Sequence, residues 1–593
     1  MFRIKRTRKR EKKTGRITFL AVFFFLLGVL IAGRLFQLQV LNYKTYHLQA
    51  LKIRRATKTI EPKRGEIFVQ DPESPNGLHL IATNRDLYLV YAVPKLIVDP
   101  EETAKKLSEL LDVPYDTLLQ RLSKENDPYE PIKHFVESKK VEEIKKLDIK
   151  VKKGKNSSEK EKAIGFLPEP ARYYPDKDLF SHILGFTGYK GDKKVGQYGI
   201  EEYFDEILRG QEGLIVGERD ALGRFIPIST EIKRKAEDGK DIILTLDYPI
   251  QFFACSELKK GIKKYGADSG TVIVMNPQTG AILALCNYPD FDPNEYNKVE
   301  NINLFLNPAV SYTYEPGSVF KAITFAAALD TNKLTPTTTY EDKGEVKIGK
   351  YTIKNADLKA HGKKTMTQVL EESLNTGAIF AVQKTGKKIF KKYVEKFGFG
   401  KKTGIELPGE ARGDISSLKK RGDIYTATAS FGQGISVTPL QLIVAFSAIA
   451  NQGKMMRPYL VEKIIDKNKQ KIIEENKPKV LSQVISSQTA STLGAMLVSV
   501  VENGYGKKAR VKGYYLAGKT GTALVSNPER RGYLPNKTIH SFCGFGPIDN
   551  PQFTILVKLD YPRAVRFAAD SATPIFSRIA KFILDYKKIP PER

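Results

Sequence analysis

The sequence predicts an α+β multidomain protein with a single N-terminal transmembrane helix, and three observations predict it. An uncharged apolar run stands near the start, alternating apolar and polar positions follow, and a long mixture of strand and helix patterns fills the rest. The chain has 593 residues, of which 41% are hydrophobic and 27% charged. That is the composition of a folded protein, with room for about three or four domains.

The first element is a basic tail, residues 1–16, with nine cationic residues against Glu11. Residues 17–33, ITFLAVFFFLLGVLIAG, carry no charge and reach the lower length for a bilayer span. Leu35, Phe36, Leu38 and Val40 continue the apolar stripe past Arg34, so the expected signal anchor covers 17–40. The apolar core is longer than that of a cleaved signal peptide, and no small-residue cleavage site follows it. A lipoprotein signal would need Cys where Arg34 stands. The cationic flank places the N-terminus in the cytoplasm and the rest outside the cytoplasmic (inner) membrane.

The formal charge is +29. Beyond the tail the excess is spread over Lys-rich helical stretches, which read as solvated faces or as attraction to anionic envelope polymers and lipid. No helix-turn-helix, zinc-finger or RNA-binding signature accompanies it, so no nucleic-acid partner is expected. Cys255, Cys286 and Cys543 lie scattered in apolar neighbourhoods and read as buried small hydrophobes. Six His without a zinc motif give no metal site, and no cofactor is expected.

Residues 41–235 form the first exported domain. From about 45 to 98, alternation (GEIFVQ, LYLVYAV) broken by turn signals predicts short strands. VDPEETAKKLSELLDV, from Val98, has the acidic, Pro-containing start and apolar spacing of a helix. GKNSSEKEKA (154–163) predicts an exposed loop, and YGIEEYFDEILRGQEG (198–213) one amphipathic helix ended by Gly210. The boundary falls near residue 236. DIILTLDYPIQ (241–251) then opens a strand and a helix through Leu258, and residues 236–593 form one large mixed unit without internal repeats.

Three motifs in that unit carry chemistry. In YEPGSVFKAITFAAALD (314–330), Pro316 and Gly317 make a turn from which Ser318 enters an apolar helix. Ser318 and Lys321, three apart, share a helical face. A serine hydroxyl needs an adjacent base, and a lysine amine desolvated among Phe320, Ile323 and Phe325 can be neutral enough to serve. The helix start also favours negative charge developing on Ser318. The S-x-x-K pattern recurs at Ser157, Ser256, Ser416 and Ser417, but in charged contexts.

In EESLNTGAIFAVQK (371–384), Ser373 and Asn375 sit on a turn before another apolar helix. Ser373 would relay a proton to a leaving amine, and Asn375 would hold a substrate amide and the Lys321 amine. Helix capping is the plain alternative for an isolated S-x-N. In GYYLAGKTGTALV (513–525), Lys519 with Thr520 and Thr522 suits a substrate carboxylate, and Gly521 permits close approach of ligand backbone. K-T-G also begins at Lys13, Lys384 and Lys402, yet only Lys519 is flanked by the apolar, β-prone residues of a strand edging a cleft. The order of the three motifs, each in a fitting local setting, makes a joint signal that none makes alone.

These residues resemble the penicillin-binding protein and serine β-lactamase superfamily over almost the whole chain, and within it the class B, monofunctional transpeptidases. RGEIF at Arg64–Phe68, the segment with Glu201, and LTLDYPIQ at 244–251 are similar to that class's N-terminal and junction motifs. GFGKKTGIELPGE (398–410) and ATASFGQGISVTPLQL (427–442) are similar to the cell-division, FtsI-like branch, with the elongation branch close. The resemblance implies an elongated pedestal or dimerisation-type domain at 41–235. It implies a penicillin-binding transpeptidase domain at 236–593, with a five-stranded antiparallel sheet between helices and an all-helical subdomain. It further implies that Ser318 attacks a D-Ala-D-Ala stem peptide of peptidoglycan, and that backbone N–H groups of Ser318 and Thr522 form the oxyanion hole. β-Lactams would be inhibitors, and a polytopic glycan polymerase of the FtsW/RodA type the membrane partner. The sequence departs from the family in the added residues VQDPESPNG after Gly65 and in Leu524, where Gln is common. A D,D-carboxypeptidase or β-lactamase using water, and a non-catalytic penicillin-binding sensor or scaffold, remain the alternatives.

Overall fold

The computed structural model describes residues 15–47, 55–125, 127–152, 163–191, 193–219, 225–527 and 532–592. Most of the basic tail and residues 154–162 of the expected loop lie outside them. Ala163, which ends that stretch, is buried.

By Cα proximity the chain forms two units. One comprises residues up to 62 together with 211–237. It contains the apolar helix Gly15–Phe36, which continues as a π-helical turn, Gln37–Leu41. These 27 residues make the one described helix long and apolar enough to cross a membrane. At a rise of about 1.5 Å per residue they exceed the roughly 30 Å hydrocarbon core. The same unit holds an antiparallel sheet in which Gly213–Arg219 lies between Arg55–Ile60 and Phe225–Arg234.

The other unit comprises 63–210 and 238–593. One seven-stranded sheet runs through both segments: Lys471–Glu475, Val461–Asp466, Asp241–Asp247, Ile67–Gln70, Leu78–Ala92 and Glu130–Glu137 in order, with Ile164–Tyr173 also on the Leu78 strand. The Leu78 strand is fifteen residues long, where short strands were expected. Its polar centre, Asn84-Arg85-Asp86, pairs with Arg172-Ala171-Pro170. Arg85 lies over the Tyr173 ring at 3.6 Å. The helix after Asp99 is as expected: Asp99 caps Pro100–Leu111 by accepting from Glu102 N at 2.9 Å.

The segment expected as one amphipathic helix is two short ones, Gly199–Tyr203 and Asp205–Arg209. The break at Phe204 serves an ion cluster. Glu201, fully buried, accepts from Arg172 Nε and Arg64 Nε at 2.6 Å each, while Asp205 takes Arg64 Nη1 at 2.8 Å. Burial opposes ionisation of Glu201, but Arg172 and Arg64 outweigh it and hold its carboxyl below the usual range.

A second sheet, antiparallel throughout, has the order Ile282–Tyr288, Ser269–Met275, Phe553–Asp560, Tyr533–Gly546, Ala517–Ser526. Helices Tyr248–Tyr265 and Ala572–Tyr586 share one apolar core with it. The first is capped by Asp247 and ended by Gly266 in the left-handed region, so it runs past the expected Leu258. Helix Pro439–Ala450, with all twelve residues buried, packs in a separate core. The cysteine expectation is corrected here: Cys255 and Cys286 form a disulfide between the Tyr248 helix and the Ile282 strand, and Cys543 alone is a free buried thiol. Helix packing on the sheet brings together two residues 31 apart that no spacing rule connects.

Candidate active site

The turn that carries Ser318 depends on glycines. Gly317, at φ 59°, opens a 3-10 turn, Gly317–Phe320, that runs into helix Lys321–Asp330. In 3-10 geometry residues i and i+3 eclipse, so Ser318 and Lys321 stand one above the other. Gly317 N–H donates to Gly432 O at 3.1 Å, and a Cβ on Gly432 would lie 2.2 Å from Gly317 O. From the other side, a Cβ on Gly521 would lie 2.5 Å from Val319 Cγ2. Gly521 thus permits close approach of the turn that carries Ser318.

Ser318 is half-buried, and the groups next to it are dry. Lys321 and Lys519 are both fully buried, and neither makes an ion pair among the described residues. Ser373 stands between them. Its Oγ lies 3.3 Å from Lys321 Nζ and 2.9 Å from Lys519 Nζ, and its carbonyl accepts from Lys321 at 2.5 Å. Ser373 reaches this position from a left-handed backbone, φ 56°, a conformation sequence alone did not reveal.

Burial, and then the neighbouring Lys519, push the Lys321 amine well below the usual lysine range. Burial alone brings Lys519 down to about 7. Two ammonium groups without a counter-ion cannot both persist in so dry a place. Both shifts favour the neutral amine, and Lys321 carries the added repulsion of Lys519.

The remaining predicted residues take these places. Thr520 is buried with its Oγ1 3.3 Å from Lys519 Nζ, and Thr522 Oγ1 accepts from Ala568 N at 3.1 Å. Asn375 begins helix Asn375–Thr385, and its Nδ2 donates to Lys354 O at 3.1 Å. Its expected partner Lys321 instead bonds Ser373. Among the rival patterns, Lys259, three after Ser256, is ion-paired with Asp178 and Asp290 and stays charged, and Ser157 lies outside the described residues. Lys384 lies on the Asn375 helix, over Phe380.

Sequence reasoning quoted Glu315 only as part of a motif. Its carboxylate accepts from Gly434 N at 3.0 Å and Tyr533 OH at 3.2 Å, strapping both flanking segments to the nucleophile's turn. Burial raises its carboxyl above the usual range.

A serine at a helix start, with two buried lysine amines joined by a second serine at a sheet edge, is the arrangement expected of a serine acyltransferase. Residues 270–581 match the penicillin binding protein transpeptidase domain, and residues 59–244 the penicillin-binding protein dimerisation domain. Among relatives, Stage V sporulation protein D of Bacillus subtilis is 33% identical over 582 residues, 98% of this chain and 86% of its own length. The probable peptidoglycan D,D-transpeptidase PenA of Neisseria meningitidis is 30% identical over 593 residues, 99% of this chain and 95% of its own. The crystal structure of penicillin binding protein 3 from Mycobacterium tuberculosis, complexed with aztreonam, superposes with a TM-score of 0.68 at 25% identity, covering 90% of this chain and 98% of that one. The chain belongs to the penicillin-binding proteins, in their class B with a dimerisation domain ahead of the transpeptidase domain.

Proposed function

We propose that this protein cross-links peptidoglycan by D,D-transpeptidation through an acyl-enzyme on Ser318. One observation carries the residue assignment: Ser373 Oγ bridges the two buried lysine amines beside the turn that presents Ser318.

Ser318 Oγ attacks the penultimate D-Ala carbonyl of a stem peptide while Lys321 takes its proton. The amide C–N bond then breaks, and terminal D-Ala leaves with a proton passed back through Ser373. Lys519, with Thr520 and Thr522, holds the terminal carboxylate, and Asn375 holds the substrate amide. Backbone N–H groups of Ser318 and Thr522 receive the oxyanion, a contact of about 3–4 kcal/mol. An amine on a neighbouring strand then takes the acyl group from Ser318 and frees the serine.

The proposal keeps the division at residue 236 between pedestal and catalytic part, a cytoplasmic N-terminus, and a catalytic domain outside the inner membrane. The Cys255–Cys286 disulfide supports that placement, because disulfides persist in oxidising compartments. A septal role, with a polytopic glycan polymerase of the FtsW/RodA type as partner, follows from the likeness of 398–410 and 427–442 to the division branch.

The test is covalent labelling of the full-length chain in detergent with a fluorescent penicillin. Wild type should carry a stable adduct and Ser318→Ala none. Rapid loss of label would favour hydrolysis over transfer, and label on Ser318→Ala would remove the nucleophile assignment.

A further inference from the structure

Helix Asn375–Thr385 begins on the catalytic turn yet has no cap of its own, since Leu374 stands at the capping position. Its first N–H groups need a partner from elsewhere. Asn355 supplies it from the end of strand Tyr351–Lys354. Asn355 Oδ1 accepts from Asn375 N at 2.9 Å and from Thr376 N at 3.2 Å.

The orientation of that carboxamide is fixed from behind. Asn355 Nδ2 donates to Asp342 Oδ2 at 2.9 Å and faces Lys359 O at 3.3 Å, so the oxygen must face the helix. Asp342 is itself held by Gly344 N and His361 N, each at 3.0 Å, and by the Thr376 hydroxyl at 2.7 Å. Asp342, Asn355 and Thr376 are all at most 2% exposed. A buried network with this degree of mutual satisfaction specifies one geometry.

What it specifies is the position of Ser373. That residue is held in the left-handed region, where an L side chain is strained, so the turn needs anchoring at both ends. Upstream, Glu372 N donates to Gln368 O at 2.9 Å. Downstream, two residues past Ser373, stands the Asn355 cap. Neither Asn355 nor Asp342 bonds either catalytic lysine.

We propose that Asn355, oriented by Asp342, is a positioning residue for the acyl transfer, aiming Ser373 between Lys321 and Lys519 by capping the Asn375 helix from outside. The proposal rests on the acyl-enzyme reading above and adds a residue that none of the three motifs contains.

The experiment compares rates of fluorescent-penicillin labelling on full-length chains in detergent, with thermal unfolding followed in parallel. Asn355→Ala should slow acylation about 10- to 100-fold, the scale of a small misplacement of a reacting group. In a Ser373→Ala background the same change should cost less than about 2-fold, because the two act through one element. Multiplicative losses would mean a merely structural role and overturn the proposal. Asn355→Asp keeps the shape and covers the case in which the alanine variant fails to fold. It sets two buried carboxyls face to face, which must share a proton. Its labelling, relative to wild type, should therefore weaken as pH rises and that proton is lost. Wild-type labelling by Asn355→Asp at every pH would overturn the proposal alone. An unlabelled wild type would overturn the acyl-enzyme reading and this inference with it.

Discussion

Two buried amines with different tasks dominate the chemistry at the residue scale. In the proposed mechanism Lys519 is protonated to hold a carboxylate, whereas Lys321 is neutral to accept the Ser318 proton. Burial alone lowers Lys519 to about 7, so in the free protein its cation is present below that pH and lost above it. The second-order acylation constant, which reports the free enzyme, should fall as pH rises through about 7. Lys519→Arg keeps a cation at every pH and should erase that falling limb, whatever its effect on the absolute rate. Rates measured from about pH 5.5 to about 9 decide it, and a limb retained in the arginine variant would move the titration to another group. Ser318, Lys321 and Lys519 were readable in sequence because their flanks are apolar, and the dry surroundings that shift a lysine are made of those flanks. Asn355 and Glu315 were not readable as functional. The groups they hold, the Asn375 helix start for Asn355 and Gly434 and Tyr533 for Glu315, lie 20 to 218 residues away and leave no local pattern.

At the scale of elements, the nucleophile's turn is positioned by backbone meeting backbone. Gly432, at φ 80°, brings its own Cα against Gly317, and a methyl there would strike Gly317 O at 2.2 Å. Gly432→Ala therefore combines left-handed strain of about 1–2 kcal/mol with a clash that no side-chain rotation relieves. The turn should shift, and penicillin acylation should fall roughly 100-fold with Glu315 and the lysines all intact. Wild-type labelling of that variant would show that the turn tolerates displacement. Sequence reading found the turn through Pro316 and Gly317 but could not pair it with a glycine more than a hundred positions on. The same limit explains the misread elements. Periodicity joined 198–213 into one helix because it cannot register that Asp205 accepts from Gly196 N and Arg64 and so sets the break. It predicted short strands across 45–98 because pairing on a neighbouring strand, not hydrophobicity, keeps Asn84-Arg85-Asp86 extended within the Leu78 strand.

At the scale of the whole molecule, the seven-stranded sheet draws strands from both sides of residue 236, and the ion cluster at Glu201 sits where the segments of 63–210 converge. Arg64 directly precedes the Ile67 strand, Arg172 lies on the Ile164 strand, and Gly65 donates to Leu208 O at 2.8 Å while accepting from Arg172 at 2.7 Å. A Cβ on Gly65 would meet Lys240 O at 1.9 Å, so chain from beyond residue 236 packs directly on this junction. The motif RGEIF and the segment with Glu201 were legible as landmarks, but their pairing required the fold. The consequence is asymmetric. Intact, the cluster adds little net stability, because desolvating the charges offsets most of their attraction. Broken, it leaves Arg172 buried and Arg64 half-buried around a missing carboxylate. Glu201→Ala should therefore cost about 3–5 kcal/mol, read as a lowered midpoint in urea unfolding of the full-length chain. Acylation per folded molecule should stay near wild type, since nothing in the cluster touches Ser318, Lys321, Ser373 or Lys519. A loss below about 1 kcal/mol would mean that water or Asp205 neutralises the two guanidinium groups. A loss of acylation at unchanged stability would mean instead that the Glu201 cluster acts on the catalytic turn.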